Sequence, residues 1–161
     1  MQMAKGKTNA MRILDANKVP YELITYEIKD GKVDGVSVAE KINKQPEEVY
    51  KTLVTAGTSK QNYVFIIPVE AELDLKKAAK AAGEKKIEMI AVKDIQKLTG
   101  YIRGGCSPIG MKKLFPTFID QCAEQLDHMV VSGGKIGMQI EIAPVHLSKT
   151  IAGNFADITH N

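Results

Sequence analysis

The sequence contains only two arginines, Arg12 and Arg103, and only two cysteines, Cys106 and Cys122. The cysteine spacing matches no metal motif, and in a reducing compartment both residues are expected as free thiols. Lysine carries nearly all the positive charge, which favours loose contact with a phosphate backbone over bidentate reading of base edges. No window approaches the roughly 20 apolar residues of a membrane helix, so no membrane partner is expected. Residues 1–10 lack the apolar core of a secretory signal, and a cytoplasmic location is expected. Also missing are a Gly-x-Ser-x-Gly elbow, a His-Glu-x-x-His helix, a Cys-x-x-Cys pair, a Walker loop and a dinucleotide fingerprint. His128, His146 and His160 are scattered. These absences disfavour serine-nucleophile, metal, redox and nucleotide-cofactor chemistry, so neither metal nor cofactor is expected.

What is present fits a single globular domain over residues 1–161: 44% apolar and 25% charged residues, without repeat or linker. The net charge is only +3, yet it is unevenly spread. From Lys76 to Lys113, nine lysines and Arg103 stand against Glu84, Glu88 and Asp94, a local balance of +7. Such a segment can attract phosphate, or it can be a solvated helix face.

Apolar spacing predicts a first helix over 9–18, stopped by Val19-Pro20, and a strand over 21–28. Ser37-Val-Ala-Glu40 reads as a capping box opening a short helix to about residue 43. Pro46-Glu-Glu is a second helical start, running into a strand over 49–56. A turn over 57–62 and an apolar strand over 63–69 complete an antiparallel hairpin. Asp74 caps a helix that Gly83 closes, and another helix covers 92–98. A strand over 117–120, a hairpin of 129–132 with 138–142, and a helix over 146–151 follow. Strands joined mostly by tight turns argue for an α+β domain with a mixed, largely antiparallel, barrel-like sheet surrounded by helices.

Two features can carry chemistry. In the alternation Val49, Lys51, Leu53 a lysine shares a face with apolar residues, where it either snorkels to solvent or is held to bind a phosphate or carbonyl oxygen. The loop from Tyr101 to Gly110 holds the adjacent Gly104 and Gly105, whose amides can stabilise an oxyanion with help from the Ser107 hydroxyl. Cys106 lies in the same loop, with no histidine nearby in sequence to activate it. Cys122 is expected in the core. For Ser132-Gly133-Gly134-Lys135, a hairpin turn is explanation enough.

Four segments together are more specific: Val49-Tyr-Lys-Thr-Leu53, Leu73-Asp-Leu-Lys-Lys77, Thr99-Gly-Tyr-Ile-Arg-Gly-Gly-Cys-Ser-Pro-Ile-Gly110 and Val131-Ser-Gly-Gly-Lys135. They resemble the YbaK/EbsC family, bacterial Cys-tRNA(Pro) deacylases related to the editing domain of prolyl-tRNA synthetases. The resemblance runs from the first helix to Phe155-Ala-Asp-Ile158. It implies hydrolysis of the ester between a misattached amino acid and the tRNA 3′ end, with prolyl-tRNA synthetase as a partner. It also implies a substrate-assisted mechanism in which the bound cysteine's thiol attacks its own carbonyl. The family lysine matches Lys51, the oxyanion loop Gly104 and Gly105, and the substrate pocket Tyr26, Thr52, Ser107 and Ser132. Gln139 stands where relatives often carry an aspartate, and Cys106 where an aliphatic residue is expected. Two alternatives remain beside this reading: a deacylase for another small amino acid such as alanine or serine, and a non-catalytic module binding tRNA or a synthetase.

Overall fold

In the computed structural model, residues 7–32 and 34–160 are described. Residues 1–6, part of the segment read above for a signal, lie outside them, as do Val33 and Asn161. Helix α1 (Asn9–Ala16) starts at Thr8, whose hydroxyl accepts from the Met11 amide and donates to the Gly133 carbonyl. One short polar side chain thus caps a helix and ties it to a distant turn. The helix buries Ala10, Met11 and Leu14 and ends ahead of Val19-Pro20, as expected.

Strand β1 (Glu22–Thr25) is shorter than the 21–28 expected, because its ladder on β7 (Met138–Ile142) closes at Thr25↔Met138. Helix α2 (Gly35–Lys41) corrects the capping assignment. Asp34, not Ser37, is the cap: its carboxylate accepts from the Ser37 amide at 3.1 Å and from the Ser37 hydroxyl at 2.7 Å. A carboxylate outcompetes a hydroxyl at the positive end of a helix. The 3₁₀ turn Pro46–Glu48 leads into β2 (Tyr50–Gly57), which forms the expected hairpin with β3 (Asn62–Pro68), Lys51 opposite Ile67.

Helix α3 (Leu75–Ala82) is capped by Asp74 and closed by Gly83 at φ +74°. The three-residue β4 (Ile87–Met89) then joins β2, and α4 (Val92–Thr99) ends at Gly100. Strand β5 (Thr117–Asp120) runs parallel to β3; a 3₁₀ turn, Gln121–Gln125, follows. Strand β6 (Met129–Ser132) pairs antiparallel with β7. Helix α5 (Pro144–Ile151) begins two residues earlier than expected, with proline in its first turn. Strand β8 (Asn154–Ala156) lies parallel to β5. Three residues are too few for a periodicity to reveal, so β4 and β8 had no sequence signal.

Among the described residues the strands form two sheets, ordered β1-β7-β6 and β4-β2-β3-β5-β8, linked by a bridge between Val49 and Val130. Four strand pairs are antiparallel and two parallel, so the α+β class with a mixed, mostly antiparallel sheet holds. Strand β3 is buried on both faces. Val64 and Ile66 join the main core with α1, α5 and the smaller sheet; Phe65 and Ile67 pack with Ala78 and Ala79 of α3. That two-sided burial explains its nearly continuous apolar run. Cys122 corrects another expectation: it is exposed, with its sulfur 3.2 Å from Tyr50 Oη at the surface turn. No described helix is long and apolar enough to cross a membrane.

Candidate functional site

Where the two sheets meet, a cavity of about 140 Å³ opens beside β2. Six of the residues singled out from sequence line it: Tyr26, Lys51, Thr52, Gly104, Ser132 and Gln139. They come from five separate stretches, which strand pairing and the glycine loop bring together. Ser132 and Gln139 are cross-strand partners on β6 and β7, so they share one face of the smaller sheet.

Two of the polar atoms at this cavity are in an unusual state. Tyr26 Oη and Thr52 Oγ1 are buried, and neither finds a hydrogen-bond partner among the described residues. Leaving a buried hydroxyl unpaired costs about 1–3 kcal/mol, so each is expected to meet a polar ligand group. Lys51 is half-buried, and burial pushes its ammonium below the usual lysine value while Glu72 pulls the other way. Gln139 is 6% exposed and brings a neutral amide, with donor and acceptor, where a carboxylate would bring charge.

The glycine loop divides by role. Gly104 lies on the cavity with φ +87°, a conformation that L side chains rarely adopt. Gly105 does not line the cavity, and its amide donates to the Ile102 carbonyl at 3.0 Å. An added Cβ there would come 2.9 Å from the Ile136 nitrogen, so Gly105 is needed for close packing against the β6–β7 turn. This also corrects the reading of that turn as a plain hairpin, because a Cβ added at Gly134 would come 2.8 Å from the Tyr101 ring. Ser107 is not brought to the cavity: it is fully buried, and its hydroxyl accepts from the Ile109 amide at 3.2 Å. Of the loop residues expected at the site, Gly104 thus lines the cavity, while Gly105 and Ser107 are paired within the loop.

Sequence reasoning missed the groups that hold this frame. Tyr101 Oη donates to the Ile109 carbonyl at 2.6 Å, clasping the loop across its neck. Lys41 Nζ donates to the Glu27 carbonyl, the Asp30 carboxylate and the Lys32 carbonyl at 2.6–2.8 Å, and lies 5.7 Å from the centre of the Tyr26 ring. A lysine in the last turn of a helix looks solvated in sequence, so nothing marked it. The apolar wall, including Val38 and Val69, was equally unmarked.

Cys106 also lines the cavity, but burial pushes its thiol up to about 11, and its sulfur lies 3.9 Å from Thr99 Oγ1. It stays protonated at neutral pH and is a poor nucleophile. No cluster of three or more His, Cys, Asp or Glu among the described residues is placed to hold a metal ion.

A family model described as the aminoacyl-tRNA editing domain matches residues 32–150. The chain belongs to that family. It is 49% identical over 153 residues to an Enterococcus faecalis protein named as a candidate Cys-tRNA(Pro)/Cys-tRNA(Cys) deacylase, EbsC, covering 95% of this chain and 93% of that one. The fold recurs in a solved candidate trans-editing enzyme for prolyl-tRNA synthetase, at 19% identity and a TM-score of 0.81, covering 96% of this chain and 99% of that one. It recurs again in a structure described as a hypothetical protein, at 18% identity and a TM-score of 0.87, covering 95% and 100%.

Proposed function

We propose that the chain is a trans-editing hydrolase that releases cysteine misattached to the 3′ end of proline tRNA. The observation that carries this reading is the pair of buried, unpartnered hydroxyls, Tyr26 Oη and Thr52 Oγ1, on one small cavity with Lys51 and Gly104. A cavity of about 140 Å³ has room for an amino acid, given that a liquid water takes about 30 Å³. The name of the Enterococcus faecalis relative supports both the ester and the choice of cysteine. Pockets sized for small side chains discriminate weakly, which gives a second hydrolytic check its rationale.

With Cys106 held as a neutral thiol, the substrate's own thiol supplies the nucleophile. Its sulfur attacks the ester carbonyl carbon, forming a carbon–sulfur bond and an oxyanion. Collapse breaks the bond to the tRNA 3′ oxygen, which takes the thiol proton. The products are a four-membered thiolactone, opened later by water, and free tRNA. Lys51 orients the carbonyl or the terminal nucleotide, and the Gly104 amide faces the developing oxyanion. Tyr26, Thr52, Ser132 and Gln139 hold the aminoacyl group, while Gly105 and Ser107 keep the loop in place. Prolyl-tRNA synthetase is the partner in this reading, because a 161-residue chain has little surface for reading a tRNA body. The setting is the cytoplasm.

A panel of tRNAs charged with Cys, Ala, Ser and Pro, with and without the synthetase, tests the proposal. Cysteine on proline tRNA is released fastest, serine far more slowly, and Cys106→Ser retains turnover. Equal release of serine and cysteine would falsify the thiol-assisted route. Binding without cleavage of any ester favours a non-catalytic module instead.

A further inference from the structure

A lysine ammonium has three N–H donors, and Lys41 uses all three inside the protein. They go to the Glu27 carbonyl at 2.6 Å, the Asp30 carboxylate at 2.7 Å and the Lys32 carbonyl at 2.8 Å. No N–H is left over for a substrate. The three acceptors belong to one stretch, residues 27–32, which is exposed and lies outside any helix or strand. Its other hydrogen bonds among the described residues are local, Gly31 to Ile28 and Lys32 to Asp30. Lys41 therefore ties this stretch to α2. A positive charge that merely complemented the end of the helix would need no such three-way arrangement.

The stretch follows directly on Tyr26, whose amide donates to the Gly137 carbonyl at 3.0 Å and so fixes its backbone. The ring is set separately. Lys41 Nζ stands 5.7 Å from its centre, within cation–π range, and the hydroxyl at the far end is the buried, unpartnered Oη. Helix α2 also brings Gly35 and Val38 to the cavity wall, with Lys41 one turn beyond Val38.

We propose that Lys41 is a positioning residue for the aminoacyl group: it closes residues 27–32 and holds the Tyr26 ring so that Oη meets the ligand at one fixed place. The inference rests on the hydrolase reading of the cavity and deepens it, assigning a share of substrate binding to a side chain that touches no substrate.

The test is a double-mutant cycle with Tyr26→Phe on Cys-tRNA(Pro), with KM and kcat read separately. Lys41→Met keeps an apolar stem and loses the ammonium. It is expected to raise KM about fivefold with kcat nearly unchanged, the scale of one weakened hydrogen bond. Tyr26→Phe already lacks the hydroxyl, so adding Lys41→Met to it costs little more, whereas independent effects would multiply. Lys41→Arg keeps the charge but brings a planar fork in place of three tetrahedral donors, so it recovers only part of the loss. If Lys41→Met does not fold, Lys41→Arg carries the same cycle. Two readouts need no ester chemistry. Trypsin cuts after the exposed Lys29 and Lys32 faster in Lys41→Met than in the wild type. The Tyr26 ring resonances in tyrosine-labelled protein, assigned by their absence in Tyr26→Phe, shift in both Lys41 variants. Multiplying losses in the double variant, an unchanged KM in Lys41→Met, or full rescue by arginine overturns the proposal. A wild-type chain that cleaves no ester removes the hydrolase reading instead. In that chain cysteinamide, an uncleavable mimic of the aminoacyl group, is titrated against the backbone amide resonances of the cavity. Weaker binding by Lys41→Met then supports the positioning role, and equal binding overturns it.

Discussion

The two walls of the small cavity are built on opposite principles. At the end of β1 and on β2, Tyr26 and Thr52 present buried hydroxyls with no partner among the described residues, and a half-buried lysine, Lys51, adjoins Thr52. On the glycine-loop side the polar groups are largely paired within the protein: Gly105 with Ile102, Ser107 with Ile109, and Tyr101 with Ile109. Unpaired groups are open to a ligand, whereas paired ones hold a shape. A residue's place in a glycine-rich motif therefore does not reveal whether it touches substrate; its hydrogen bonds do.

That contrast is broken most severely at Lys51. Lys51→Ala is expected to lose about 100-fold or more in kcat/KM for Cys-tRNA(Pro), the scale of removing one charged transition-state contact, with an unchanged thermal midpoint. Burial lowers the Lys51 pKa, so the protonated form is lost at a lower pH than for an exposed lysine. If its charge is needed, background-corrected activity falls as pH rises, with a midpoint below the ordinary lysine value of 10.5. A pH profile of kcat/KM checks the sign, and an alkaline limb that persists in Lys51→Ala removes the assignment.

On the other wall, Gly105→Ala forces a Cβ against the Lys135–Ile136 backbone and should cost about 1–3 kcal/mol of stability, read by denaturant unfolding. Activity then falls because the loop shifts. A Gly105→Ala protein of native stability would show that the close approach is easily relaxed. The smallest effects belong to Tyr26→Phe and Thr52→Val. Each removes an unpaired buried hydroxyl, so stability stays level or rises while KM increases by about 5- to 10-fold, worth roughly 1 kcal/mol per lost hydrogen bond. Loss of stability in either variant would mean that the hydroxyl already has a partner in the free protein, and the contrast between the walls would narrow.

Much of this site was legible in the chain. Lys51 stood out as a charge on an apolar strand face, and the Gly104-Gly105 pair as more glycine than a turn needs. Tyr26, Thr52, Ser132 and Gln139 were reachable through the four-motif resemblance, and the cavity gathers all of them. Gly105 and Ser107 lie off the cavity's lining and are paired within the loop, which the sequence could not show because a hydroxyl or amide in a sequence carries no sign of its partner. Lys41 was invisible for a related reason. A lysine at a helix end is ordinary until a loop is set beside it.

The sequence by itself determined the local elements: the capping aspartate at 74, the stop at Val19-Pro20, the β2–β3 hairpin, and the glycines at positive φ. These depend on neighbours a few residues away, where backbone sterics and period-two alternation act. Only the tertiary structure decided which polar atoms stay unpaired, which glycine carries packing, and which lysine closes a loop beside the cavity. Those are properties of groups far apart in sequence, and burial and hydrogen bonding exist for them only once both sheets have closed.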